Sequence, residues 1–206
     1  MTKNEAIQII VSLGKPNKMP CKTYSISAHK CKTGGKLRTV KNSVCSGCYA
    51  MRGNYCFSVV TNAHEKRLES LKNPKWVQAM VHTIGNDKFF RWHDSGDLQS
   101  LAHLKKIVKV CELTPHCKHW LPTKEKSILK AFLKNNVVPD NLTIRLSGYM
   151  IDSKPPKVPD GILTSTVHKL EKPHGKPCLA YQNGGKCGEC RACWDKTVNN
   201  VSYKKH

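Results

Sequence analysis

Acidic side chains are scarce in this chain: 14 Asp and Glu stand against 35 Lys and Arg, a formal net charge of +21 at pH 7. An imbalance of that size favours polyanions, nucleic acid first and anionic membrane surface second. The plainer alternative is a lysine-biased composition, because most of the excess is lysine scattered singly and does not outline a groove. Long apolar runs are also missing, so no segment is expected to span a bilayer. The opening TKNEAIQIIVSLGK lacks the apolar stretch and small-residue cleavage site of a secretory signal. It reads instead as an amphipathic helix with Asn4 as N-cap and Gly14 as its stop. A cytoplasmic protein without membrane contact is therefore expected. A glycine-rich phosphate loop and a His-Glu-x-x-His helix are absent too, which sets aside the nucleotide and metalloprotease chemistries they serve.

Cysteine is plentiful. Eleven cysteines occupy positions 21, 31, 45, 48, 56, 111, 117, 178, 187, 190 and 193. In a reducing compartment, clustered cysteines point to metal or catalysis rather than to disulfides, and an odd total fits a fully paired framework badly.

The 206 residues are enough for one domain with a small appendage. After the lead-in of residues 1–22, a run TYSISA begins a core of residues 23–170 in which strand-like and helical segments alternate. Val59, Val60, Ala63, Arg67, Leu68 and Leu71 form one helical stripe, and Trp76, Val77, Met80, Val81 and Ile84 a second. KFFRWH (88–93) reads as a second strand, with a helix after it carrying Leu101, Leu104, Ile107, Val108 and Cys111. KHWLPT (118–123) is the third strand, followed by a helix with Ile128, Leu129, Phe132 and Leu133. NLTIRLS (141–147) and ILTSTV (162–167) supply the fourth and fifth. The alternation predicts an α/β fold: a small partial (β/α) barrel, or an open parallel sheet of about five strands. Trp76, Trp92 and Trp120 are expected in its core. Residues 171–206, rich in glycine, proline, lysine and cysteine, are expected as a metal-binding extension packed on that core.

In either architecture the functional face lies at the carboxyl ends of the strands. Polar and charged residues gather there: a cysteine loop after strand one, HDSGD after strand two, PTKEK after strand three and SGYMID after strand four. The bland reading of Asp94 and Asp97 is turn chemistry and an N-cap for the next helix.

The cysteines fall into two groups. Cys178, Cys187, Cys190 and Cys193 include a C-x2-C-x2-C run, which presents thiolates as bacterial iron–sulfur loops do. A four-cysteine zinc site is the alternative there. Cys31, Cys45 and Cys48 are three thiols in one loop without an assigned fourth. Cys21, Cys56 or His29 would complete a zinc site. Alternatively, the triad holds a [4Fe–4S] cluster with one iron left free for a cofactor.

A cysteine triad after the first strand, followed by Ser95-Gly96-Asp97 after the second, resembles the radical S-adenosylmethionine superfamily. More closely, RWHDSGDLQS, the strand ending in Thr123-Lys124, and CGECRACW resemble the phage-encoded gene product 88 family, from about Tyr24 to Trp194. The superfamily resemblance implies that Cys31, Cys45 and Cys48 hold the open cluster, while Ser95, Gly96 and Asp97 hold the amino group of S-adenosylmethionine. Tyr49, Thr123 and Arg145 complete the expected cofactor-binding set: Tyr49 is the aromatic beside the last triad cysteine, and Thr123 ends a strand. Arg145, like Lys124, is a cation near a strand end that suits a carboxylate or phosphate. The pattern differs from the superfamily's in three places. Thirteen residues separate the first two cysteines instead of three, Gly47 stands where an aromatic is usual, and Ser-Gly-Asp replaces Gly-Gly-Glu.

The expected function is therefore a radical S-adenosylmethionine-type iron–sulfur enzyme. It would work in the host cytoplasm, draw on an external electron donor and act on an unassigned substrate, with nucleic acid favoured by charge. The second cysteine group would be an auxiliary cluster or a fold staple. The alternative is a zinc- or cluster-stabilised nucleic-acid-binding protein without catalysis.

Overall fold

The computed structural model describes residues 1–205. Among these residues, seven strands form one open, entirely parallel sheet. They are β1 (Lys22–Tyr24), β2 (Phe89–Trp92), β3 (Lys118–Thr123), β4 (Leu142–Ser147), β5 (Leu163–His168), β6 (Lys176–Pro177) and β7 (Asn200–Lys204). Their spatial order is β1-β2-β3-β4-β5-β7-β6. The α/β class and parallel open sheet agree with the sequence pattern, with two strands more than expected. Both extra strands come from residues 171–206, and β7 slots in directly beside β5.

Among the described residues, six α-helices accompany the sheet: α1 (Lys3–Ile10), α2 (Thr33–Leu37), α3 (Ser58–Ser70), α4 (Trp76–Ile84), α5 (Leu101–Leu113) and α6 (Lys126–Leu133). The first is capped by Thr2 rather than Asn4. Thr2 accepts from the Glu5 amide, and the Glu5 carboxylate accepts from the Thr2 amide, forming a reciprocal capping box. Gly14 does not end that helix; it pairs with Thr23 across an antiparallel bridge.

Alternation along the strands divides the side chains between two faces. Tyr24, Phe90, Trp92, Leu121, Leu142, Ile144 and Leu146 join Ile10, Trp76, Met80, Leu104, Ile107, Leu129 and Phe132 in one buried core against the helices. Its centre is aromatic. Trp76 stands edge-on to Tyr24 at 5.4 Å and donates its indole N–H to the Tyr24 hydroxyl at 3.0 Å. Truncating Trp76 or Trp92 to alanine would remove about 3–5 kcal/mol. Cys111 and Cys117 lie in this core, away from both cysteine groups.

The other face is covered by the chain's own C-terminal segment. Trp120 meets Trp194 edge-on at 5.4 Å, and Phe89 meets the same indole at 5.4 Å. Met19, Cys21, Cys187, Cys193 and Tyr203 complete this smaller cluster. All three tryptophans expected in the core are buried, but Trp120 serves this second core rather than the helix-packed one.

Candidate functional site

The first strand ends at Tyr24, sooner than TYSISA implied, because Ser25 and Ile26 turn to bind the loop after β2. Ser25 Oγ accepts from the Asp94 amide at 3.2 Å, and the Ile26 amide donates to the Ser95 carbonyl at 3.2 Å. At Gly96 (φ +80°) an added Cβ would lie 2.4 Å from Ile26 Cγ1 and 2.7 Å from Ile26 O, so only glycine fits.

Asp97 is the knot of the edge. Its Oδ1 accepts from Thr123 Oγ1 at 2.6 Å and from the Leu98 amide at 2.7 Å, while Oδ2 accepts from the Lys124 amide at 2.8 Å. Burial raises its pKa to about 6 against the pull of these bonds. Both oxygens of Asp97, and the hydroxyl of Thr123, are thus spent on joining the β2 turn to the end of β3. Helix α5 is capped by Ser100 instead, which accepts from the His103 amide at 3.1 Å. Two acceptors in the turn have no partner, Asp94 Oδ1 and Ser95 Oγ, and both are buried.

The cysteine loop is fastened onto this edge. Glu125, just past β3 and 4% exposed, accepts from the amide of Thr33 at 2.8 Å and from its hydroxyl at 2.9 Å. The Val44 amide donates to the Tyr149 carbonyl at 2.8 Å. Tyr49 Oη donates to the Asp94 carbonyl at 2.5 Å, and Tyr55 Oη to Asp94 Oδ2 at 3.2 Å. Sequence reasoning missed Glu125 and Tyr55; the PTKEK cluster after strand three was the available signal for the former.

Within the loop, Cys31 and Cys45 border the same glycine. A Cβ added to Gly34 would lie 3.8 Å from Cys31 Sγ and 3.5 Å from Cys45 Sγ. Cys45 and Cys48 line an open cleft of about 250 Å³ with Arg38, Ser46, Gly47, Met51 and Arg52. Burial pushes the Cys31 thiol up to about 12, reinforced by Asp97 and Cys48 nearby. Burial also raises Cys45, with Lys124 opposing. Thiols so placed are poor nucleophiles at neutral pH and need a cation to become thiolates. No three His, Cys, Asp or Glu side chains among the described residues are gathered tightly enough to grip a single ion. Cys56 and His29 are exposed in the flanking chain.

The second group lies on the sheet face that the C-terminal segment covers. The Cys178 amide is tied to β7 by Ser202 O at 2.8 Å, the Cys187 amide to Lys18 O at 2.9 Å, and Cys193 Sγ lies 3.2 Å from Tyr203 Oη. Burial raises Cys193 to about 11, with Cys178 adding to the rise. Cys187 is raised chiefly by burial, with further rises from Cys178 and Cys190. The four thiols therefore share one neighbourhood. Cys21 belongs here too: buried against Trp120 and Trp194, it neighbours Cys187 rather than the first triad.

Arg145 is not free for a carboxylate or phosphate. Fully buried on β4, it donates to Cys193 O, Thr164 O, Val198 O, Ala192 O and Asp195 O at 2.8–3.1 Å, using every N–H of its guanidinium. It is the peg that holds the second cysteine segment down.

An open parallel sheet with thiol donors at its carboxyl edge and a second thiol group across one face defines a cysteine-rich α/β protein. The gene product 88 family model matches residues 2–196, and the chain belongs to that family. No curated protein and no solved structure matches it. No helix among the described residues is long and apolar enough to cross a membrane.

Proposed function

We propose that the chain is a phage iron–sulfur enzyme of the radical S-adenosylmethionine type. In this reading Cys31, Cys45 and Cys48 hold an open [4Fe–4S] cluster, and Cys178, Cys187, Cys190 and Cys193 hold a second, closed centre. The observation that carries the reading is the meeting of Cys31 and Cys45 at Gly34, beside the Ser95–Asp97 turn on the carboxyl edge of a parallel sheet. When bound, such a cluster supplies one-electron reduction at an iron that no protein side chain occupies.

The protein's own residues do the rest. Because the carboxylate of Asp97 is spent, recognition of an amino group falls to the two unpartnered acceptors, Asp94 Oδ1 and Ser95 Oγ. Arg38 and Arg52 border the cleft and suit a carboxylate. Tyr49, next to Cys48 in sequence, ties the loop to the turn through the Asp94 carbonyl. The chain would act in the host cytoplasm with an external reductant, and its charge favours a nucleic-acid substrate. Anaerobic reconstitution with iron and sulfide, reduction, and addition of S-adenosylmethionine should release 5′-deoxyadenosine. Intact clusters with a competent reductant and no such product would contradict the reading.

One observation favours a second reading. No acidic residue occurs between Glu5 and Glu65, so the whole cysteine loop carries charge of one sign. A zinc- or cluster-stabilised nucleic-acid-binding protein without catalysis would use that loop directly. It predicts binding to DNA or RNA that weakens steeply with added salt.

A further inference from the structure

The fold sorts charge between the two edges of the sheet. Exposed carboxylates stand before the strands, at the amino edge: Glu112 before β3, Asp140 before β4, Asp160 before β5 and Asp195 before β7. Asp87, before β2, pairs with Lys22 at 2.9 Å. At the carboxyl edge, beyond the ends of β1 to β4, the carboxylates are instead spent within the protein. Asp97 and Glu125 are buried and hold Thr123, Lys124 and Thr33. Asp152 accepts from the amides of Lys169, Leu170 and Glu171, and the half-buried Asp94 accepts from Tyr55.

The cations of that edge stay outside. Lys30, Lys36, Lys41 and Arg52 in the loop after β1, and Lys154 after β4, are exposed and belong to no ion pair among the described residues. The two loops run side by side: Ser43 and Met150 form a bridge, and the Ile151 amide donates to the Asn42 carbonyl at 3.0 Å. The cleft bordered by Arg38 and Arg52 lies in the first loop, and Met150 lines a second hollow of about 150 Å³ with Lys126, Tyr149 and Lys154. Two aromatic rings that the core does not use belong to the same loop. Tyr49 is 49% exposed and Phe57 60%. Tyr49 is fixed in place by its bond to the Asp94 carbonyl and by Tyr55, whose ring lies 5.6 Å away.

We propose that this carboxyl edge is a binding surface for single-stranded nucleic acid. Phosphates spaced along a strand match a row of cations that no protein carboxylate neutralises. Unpaired bases stack on exposed rings, whereas a duplex keeps its bases stacked on one another and leaves Tyr49 and Phe57 uncovered. Lysines at the amino edge, such as Lys88 and Lys134, are exposed too, but there carboxylates stand among them. The inference gives the nucleic-acid partner of both readings above a strandedness and a place, and it requires neither cluster.

Fluorescence anisotropy of the full chain with a labelled oligonucleotide of about 15 nucleotides tests it, as DNA, as RNA and as the matching duplex, at increasing salt. Single strands of either sugar should bind more tightly than the duplex, and the affinity should fall steeply as salt is added. Phe57→Ala should weaken single-strand binding about 5–100-fold, the loss of one stacked base, and leave the duplex nearly unaffected. Lys41→Glu combined with Lys154→Glu should weaken it about tenfold or more and flatten the salt dependence. Lys88→Glu combined with Lys134→Glu, the same change in net charge at the amino edge, should alter it less than about twofold. All five side chains are exposed, and circular dichroism should report an unchanged fold for each variant. Equal weakening by the two lysine pairs would overturn the proposal, because net charge rather than this edge would then hold the strand. A duplex bound as tightly as the single strand, with Phe57→Ala silent, would overturn it too. Binding to phosphatidylserine vesicles without binding to single strands would do the same. Release of 5′-deoxyadenosine by a chain that binds no single strand would overturn this surface and leave the enzymatic reading intact.

Discussion

Thr33 gives both its amide and its hydroxyl to the carboxylate of Glu125, at 2.8 and 2.9 Å, across 92 residues of sequence. The pair staples the start of the cysteine loop to the end of β3. Replacing Glu125 with alanine removes both acceptors and should cost about 1–3 kcal/mol. Urea titration measures that loss. In the metal-free protein, maleimide labelling of Cys31 and Cys45 should also accelerate as their burial is relaxed.

Gly96 should tolerate no side chain. Gly96→Ala places a methyl on the Ile26 backbone and retains a positive φ, so a loss of about 2 kcal/mol or more is expected. Gly53 (φ +59°) has open space around it, and Gly53→Ala should cost only about 1 kcal/mol. The difference in urea midpoints isolates the close approach from the backbone strain common to both.

Arg145→Met would leave the carbonyls of Ala192, Cys193, Asp195 and Val198 without their donor. A loss of about 3 kcal/mol or more follows if several become buried and unpaired. Limited proteolysis should cut within residues 171–198 first, while the helix-packed core stays protected.

Acid should destabilise the fold through its buried imidazoles. Burial lowers His103 and His119 to about 3 and His93 well below its ordinary value. Their folded pKa lies below the unfolded value near 6.5, so the unfolded chain binds more protons. Their contribution is complete above pH 6.5 and shrinks as the pH falls from there toward 3. Asp97, raised to about 6, works in the opposite sense as a single group. A net uptake of one or more protons on unfolding gives a slope of about 1.4 kcal/mol or more per pH unit. Urea midpoints at pH 7.5, 6.5, 5.5 and 4.5 measure it directly.

The parts of the fold that were legible are those with local signatures. FFRW, KHWLPT and LTIRLS are β-branched or aromatic runs bounded by turn residues, and each is a strand at nearly the expected limits. NVSYK was missed because it is a short strand next to a glycine- and cysteine-rich segment, and its buried residues, Asn200, Val201 and Ser202, are consecutive and two of them polar, so no alternating apolar period marks it. The site divides similarly. The cysteines and the Ser95–Asp97 turn could be found from residue type and from their positions after strands. The uses made of Arg145 and Glu125 could not, because each depends on groups distant in sequence that only the folded sheet brings together. A basic residue near a strand end looks the same whether it awaits a ligand or pegs down five carbonyls.

Metal and acid-labile sulfide analysis of protein purified without oxygen, with Cys45→Ser measured alongside wild type, decides whether the cysteine loop holds an iron–sulfur cluster. Iron with matching sulfide is expected in wild type, and a large part of both should be lost in Cys45→Ser while the centre at Cys178–Cys193 remains. Zinc without sulfide, or metal content unchanged by Cys45→Ser, would contradict it.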